Sequence, residues 1–215
     1  MDDRTRWDAR YRNGVYAERP WPSAFLEQNI VALSSSGGDG SHGHDKALDL
    51  ACGAGRNSVF LAQHGFTTQG IDISAAAIAA GSAYACQAKT KVAWRCQNLL
   101  EQTGGKNLGR DPIHDLGHFQ LIILFRFVAP GLLTHLMDHL LPGGHLMVEE
   151  HLQHDLGEQI VGPRNPDFRV APNALLGEVE AASQSFDVIE HFAGLVAEPS
   201  GEKAAVSRLW VQRHL

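Results

Sequence analysis

The sequence predicts an α/β fold: a doubly wound, mostly parallel sheet with helices on both faces. Three observations carry this prediction. From residue 46 onward, short apolar runs of strand length alternate with helical patterns. The stretch 119–125 is apolar on both faces, as central parallel strands are. The first apolar run leads directly into a glycine turn and a helix, ALDLACGAGRN at 47–57.

Trp7 and Tyr11 share one helical face near the start of the chain. Pro22 and Ser23 then open an amphipathic segment that gathers Phe25, Leu26, Ile30 and Leu33 on one side. Residues 1–33 are therefore expected to form a helical cap or lid. The polar, glycine- and serine-rich SSSGGDGSHGHD at 34–45 cannot bury enough apolar surface to order itself and reads as a flexible linker. The Rossmann-like core runs over 46–215, making a single domain. Within it, 46–51 is a strand and 57–64 a helix that Gly65 ends. Strand 67–73 leads to Ser74, an N-cap for the alanine-rich helix 75–89. Strand 91–96, a polar insertion at 101–118 and strand 119–125 follow. Helix 132–141 is expected to stop at Pro142, Gly143 and Gly144, before strand 145–150. Pro172 precedes helix 173–183, and the stretches 186–192 and 204–214, separated by the turn-rich 198–201, read as a closing hairpin.

Composition narrows the function. The chain has 215 residues, enough for one sizeable core, and its 44% hydrophobic and 20% charged residues exclude collagen-like, disordered and disulfide-dense classes. With 18 basic against 24 acidic residues the net charge is −6, so no basic field advertises nucleic acid as partner, although a local patch is compatible with it. Cys52, Cys86 and Cys96 lack CxxC spacing, which fits a reducing compartment and no cysteine metal site. The apolar run 121–125 is far short of the roughly 20 residues a membrane span needs. The N-terminal MDDRTRWDARYR has no apolar signal core. A cytoplasmic protein without a membrane partner, a monomer or a homodimer, is expected.

In the glycine turn, Gly53 and Gly55 let the backbone approach a ligand and expose helix amides, though a plain tight turn has the same composition. Asp72 ends the second strand where nucleotide-binding folds place a carboxylate on ribose hydroxyls; a helix N-terminal acid is the alternative reading. Ser58 replaces the third glycine of a dinucleotide fingerprint, and Asp49 precedes the turn. A carboxylate beside a pyrophosphate costs Coulomb energy, whereas S-adenosylmethionine carries an ammonium and a sulfonium. Asp49 thus favours that cofactor over NAD, unless it merely caps the turn.

ALDLACGAGRN, GIDIS with Asp72, the strand end at Asn98-Leu99-Leu100, and LLPGGHLMVEE resemble the successive motifs of class I S-adenosylmethionine-dependent methyltransferases, over most of 46–150. WDARYR, LIILFRFVAPGLL and GPRNPDFRVAPNALL further resemble the bacterial tellurite-resistance and thiopurine methyltransferase branch. The resemblance implies seven strands in the order 3-2-1-4-5-7-6, with strand 7 antiparallel. It implies that Asp49, Gly53 and Gly55 surround the methionine moiety, with Ala51, Cys52 and Asn57 in the same cofactor-binding loop. Asp72 would hold the ribose, Ile73 would flank the adenine, and Asn98 and Leu99 would meet its edge; Phe125 is counted among the cofactor contacts. Asn98 stands where the family usually has aspartate, and its amide can both accept from and donate to adenine.

Methyl transfer from a sulfonium is an in-line displacement in which alignment dominates, so no catalytic triad is required. Arg126, between Phe125 and Phe127, either holds an anionic substrate or pairs with Glu149 or Glu150. His151 follows Glu150 at a strand end where a general base for a hydroxyl or thiol acceptor can stand. Trp7, Tyr11, Arg10, Arg12 and Trp21 form an aromatic and basic cluster, either a lid over cofactor and substrate or ordinary packing. His135 and His139 lack the glutamate of a zinc motif, and no metal is assigned. The expected function is methyl transfer to a small-molecule acceptor. An RNA or protein acceptor, or a non-catalytic binding module of the same fold, is the alternative.

Overall fold

A computed structural model describes residues 2–14, 19–35, 45–100, 111–154 and 160–215. In chain order the elements are α1 (Asp3–Arg12), α2 (Ala24–Ser35), β1 (Lys46–Leu50), α3 (Arg56–Gln63), β2 (Thr67–Asp72), α4 (Ala75–Gln87) and β3 (Val92–Cys96). They continue with β4 (Phe119–Phe125), α5 (Leu132–Asp138), β5 (Leu140–His151), α6 (Ala174–Glu180), β6 (Phe186–Ala197) and β7 (Lys203–Arg213). The strands form one sheet in the order β3-β2-β1-β4-β5-β7-β6, and β7 runs antiparallel to both its neighbours. This is the expected doubly wound topology. Chain order reverses direction between β1 and β4, so a crevice opens at their carboxyl ends.

Alternation along the central strands splits the apolar residues between two cores. On one face Leu48, Leu50, Ile122, Leu124 and Val148 pack against Leu132, Leu136, Leu175 and Val179 of α5 and α6. On the other, Ala47, Leu121, Ile123 and Met147 pack against Leu61 of α3 and against Phe25, Leu26, Ile30 and Leu33, the predicted apolar face of α2. Ser74 caps α4 as expected, its hydroxyl accepting from Ala77 N.

A third packing feature was not predicted. Trp94 of β3 lies opposite Gly70 of β2, and a methyl carbon built on Gly70, Gly81 or Gly55 would come within 2.9 Å of its six-membered ring. Three glycines from three elements thus make the slot for one indole, which supports the glycine turn from below.

The helix expected over 132–141 instead ends at Asp138, and Leu140 through Gly144 belong to β5. The cause is tertiary. His139 is fixed by Gly117 O and Asp111 Oδ2, each at 2.6 Å, and its carbonyl accepts from Phe119 N. The Pro-Gly-Gly stretch therefore forms an irregularity in the β4–β5 ladder, where the register shifts between Phe119 and Leu121. Ser34 and Ser35 close α2, Asp45 precedes β1, and the remainder of the expected linker, 36–44, lies outside the described residues, as do 101–110 of the polar insertion.

Candidate functional site

The turn after β1 alternates into left-handed backbone at Ala51 (φ +52°), Gly53 (+56°) and Gly55 (+75°), which curls the chain tightly at the carboxyl end of β1. Cys52 N donates to Ile71 O at 2.9 Å and Gly55 N to Cys52 O at 3.0 Å, tying the turn to β2. Asp72 completes the link: Oδ2 accepts from Gly53 N and Oδ1 from Ser74 N, both at 2.8 Å. Burial pushes the Asp72 carboxyl above the ordinary range, against the pull of these amides. Each oxygen has accepted one N–H and keeps a lone pair that a vicinal diol can use.

Helix α1 lies across this turn. Asp8 Oδ1 accepts from Ser74 Oγ at 2.6 Å and from Ala76 N at 3.1 Å, docking α1 on the N-terminus of α4. The Tyr11 hydroxyl rests where a side chain at Gly53 would be. Trp7 lies tilted against Tyr11 with ring centroids 6.5 Å apart, and the Arg6 guanidinium sits 5.7 Å from the Phe168 ring.

At the carboxyl ends of β4 and β5 a charge network closes the floor. Arg126, in left-handed backbone at φ +63°, donates to Glu149 Oε1 at 2.9 Å and to Glu198 Oε1 at 2.7 Å. Its Nη1 faces His151 Nδ1 at 2.9 Å, so Nδ1 accepts and Nε2 carries the imidazole proton. Arg208 holds the other Glu149 oxygen at 2.6 Å. Glu150 is 2% exposed. One of its oxygens accepts from Phe127 N at 2.8 Å, the other has no partner among the described residues, and burial pushes its carboxyl up to about 8.

Residues 47–144, which contain the turn, Asp72 and β4, match the protein family described as "Methyltransferase domain". The match takes in a little under half of the chain and likens that part to a methyltransferase domain. Among solved structures, TehB from Haemophilus influenzae superposes with a TM-score of 0.64 at 15% identity, covering 94% of this chain and 66% of TehB. The magnesium protoporphyrin IX methyltransferase of Synechocystis, solved with bound SAH, superposes with a TM-score of 0.59 at 15% identity, over 99% of this chain and 100% of that one. The ribosomal RNA small subunit methyltransferase C of Alcanivorax borkumensis is 51% identical over 37 residues, 17% of this chain and 11% of that protein. This chain therefore spans about two thirds of the length of TehB, and its match to the ribosomal RNA enzyme is confined to a short segment.

The fold gathers Ala51, Cys52, Gly53, Gly55, Asp72 and Ile73 at one place, with Tyr11 against Gly53, and it turns several expected contacts elsewhere. Asp49 is 1% exposed and takes a hydrogen bond from Ser58 Oγ at 2.6 Å beneath the turn. Burial lifts its carboxyl to about 7. The missing third glycine is thus the hydroxyl that satisfies Asp49, and that carboxyl orders the turn instead of offering an open charge to a cationic ligand. Asn57 is likewise spent, accepting from Ser23 N at 2.8 Å to pin α2 onto α3. Phe125 packs its ring 6.1 Å from that of Phe25, in the core beneath α2. Leu99 is buried in the opposite core, against which Phe127 packs. Asn98 Oδ1 accepts from Leu100 N at 2.9 Å, leaving the amide N–H groups as its outward donors.

Both expected catalytic side chains change meaning. Arg126 takes the ion-pair alternative with Glu149, and gains Glu198, a partner from the closing hairpin that no local pattern signals. Burial and the charges of Arg126, Arg169 and Arg19 drive the His151 imidazolium down to about 3, which makes His151 a weak proton acceptor at neutral pH, against the general-base expectation. Trp21 offers its carbonyl to Arg56 Nη1 at 3.3 Å, and Arg12 reaches Asp8 at 3.4 Å. Sequence reading missed Asp8, Ser58, Trp94, Arg208 and Glu198. Only Ser58 left a signal, as the break in the glycine spacing.

Proposed function

We propose that the chain is an S-adenosylmethionine-dependent methyltransferase acting on a small-molecule acceptor, as a single domain with an N-terminal helical lid. The observation that carries this reading is Asp72, which bonds both the glycine turn and the start of α4 while keeping acceptor capacity toward the crevice. Bound S-adenosylmethionine supplies an electrophilic methyl group on a sulfonium. Asp72 takes the ribose hydroxyls, the turn 51–55 surrounds the methionine end, Ile73 flanks the adenine, and Asn98 donates to its ring nitrogen. Tyr11, Trp7 and Arg12, carried on α1, cover this end and exclude water. Alignment of acceptor, methyl carbon and sulfur accounts for roughly 7–11 kcal/mol of barrier lowering in such reactions. Here α1, the turn and the braced Arg126 loop supply the rigid frame.

The likeness in fold to the magnesium protoporphyrin IX methyltransferase supports a small-molecule acceptor, and the likeness to TehB accords with the resemblance to the tellurite-resistance branch. Among the described residues no helix is long and apolar enough to cross a membrane, and we read the protein as cytoplasmic, a monomer or homodimer. Calorimetric titration of the full chain with the demethylated cofactor tests the reading. Binding is expected, weakened at least about tenfold, or about 1.4 kcal/mol, in Asp72→Ala. No heat at millimolar ligand overturns it. A ribosomal RNA acceptor is the second reading, resting on the 37-residue match. The net charge of −6 opposes it, and RNA retention with a steep salt slope would establish it instead.

A further inference from the structure

Beyond β5 the described residues line an open pocket of about 540 Å³, within the size range of small-molecule sites. Ile160, Pro163 and Pro166 give it apolar walls, while His154, Arg164 and Arg169 are the ionisable groups that line it. No carboxylate lines it among the described residues. This sets it apart from the Arg126 network, where Glu149 and Glu198 already neutralise the guanidinium.

Two observations mark the cavity as built for an anion. Arg169 is held by neutral carbonyls, Nε donating to Pro163 O and Nη1 to Leu152 O, each at 2.8 Å. Its position is fixed, and among the described residues no carboxylate pairs with it, the arrangement in which a guanidinium recognises carboxylate or phosphate oxygens. His154 Nε2 is buried with no hydrogen-bond partner among the described residues, and an orphan of that kind in a pocket wall calls for a ligand atom. The cavity also adjoins the expected methyl-transfer end. His151, which touches Arg126, packs against Gly162 on the same segment, and Phe168, two residues beyond Pro166, receives Arg6 of α1.

We propose that this cavity is the acceptor subsite and takes a small molecule bearing a carboxylate or phosphate group, held by Arg164 and Arg169 and hydrogen-bonded by His154 Nε2. Only the word acceptor rests on the methyltransferase reading; the anion site stands on its own geometry. It also reassigns the anion-holding role that the sequence offered to Arg126.

The test titrates the full chain, with and without saturating demethylated cofactor, with benzoate, phenyl phosphate and the neutral isostere benzamide. At least one anion is expected to bind about tenfold or more tighter than benzamide, the worth of one charge-assisted hydrogen bond. Arg164 is exposed, so Arg164→Gln should keep the fold and the cofactor affinity while weakening the anion several-fold, and Arg164→Lys should restore part of the loss. Arg169→Gln should weaken it further, with a thermal melt to verify folding. Neither anion binding at concentrations on the order of 10 mM, benzamide binding equally well, or unchanged anion affinity in both arginine variants overturns the proposal. Loss of cofactor binding alongside intact, arginine-dependent anion binding overturns the methyltransferase reading and leaves this one standing.

Discussion

Substituting Gly55 by alanine isolates the contribution of the Trp94 slot to the glycine turn. Gly55 sits at φ +75°, and its new methyl would lie 2.9 Å from Trp94 Cζ3 and closer to Cη2. Left-handed backbone costs an L-residue about 1–2 kcal/mol, and overpacking a fixed site costs about 1–3 kcal/mol. Reduced freedom of the unfolded chain returns about 0.4–1 kcal/mol. The expected net loss is about 3 kcal/mol, a fall in melting temperature of about 6–12 °C for a chain of this size. The indole cannot step aside, because Gly70 and Gly81 confine the same ring atoms. Gly65 is the internal control: φ is +93° and nothing lies within 4 Å, so Gly65→Ala carries the backbone strain without the overlap. Calorimetric melts of both variants, each also made in a Trp94→Leu background, separate the two contributions. There Gly55→Ala should cost no more than Gly65→Ala. A melt within about 2 °C of the unsubstituted protein, or a loss undiminished by Trp94→Leu, would refute the reasoning.

Other outcomes follow from the buried and bridging carboxylates. Because Glu150 keeps its proton up to about pH 8 in the fold and only to its ordinary range unfolded, stability should fall as pH rises between those values. Glu150→Gln, which preserves the acceptor for Phe127 N, should flatten that fall in urea titrations at pH 5 and pH 8; an unchanged slope argues against a buried neutral acid. Asp8 is held below the usual carboxylate range by Ser74 and the Ala76 amide. Its docking contribution is therefore present above the ordinary carboxylate pKa and lost as pH falls through the lowered value. Asp8→Asn should raise the rate of proteolytic cleavage near α1 at neutral pH, and equal protection in both proteins would dismiss the docking role. Asp72→Ala and Arg164→Gln should separate cofactor affinity from anion affinity, each variant losing one and keeping the other.

Much of the fold was legible because strand and helix periods write themselves into the sequence. The apolar face of α2, the Ser74 cap and the boundaries of β4 depend on neighbours within a few residues, and all were read correctly. The end of α5 was misread because Pro142-Gly143-Gly144 terminates helices by local rules, whereas here the β4–β5 ladder and the clamped His139 decide the conformation. The glycine turn and Asp72 were legible for the same local reason, as a spacing of glycines and a strand-end acid. Asp49 was located correctly and misunderstood: its position is a matter of sequence, but its direction depends on the Ser58 hydroxyl delivered by α3.

Sequence alone determined the sheet, its order of elements and the presence of a glycine turn after the first strand, since these follow from periodicity and backbone chemistry that act over short stretches. Tertiary structure alone decided which charges remain available. Arg126 is cancelled by Glu149 and Glu198, the latter 72 residues away in the chain, while Arg169 is fixed by carbonyls and, among the described residues, has no carboxylate partner. Coulomb interactions and burial depend on distance in space, and no spacing along the chain encodes them.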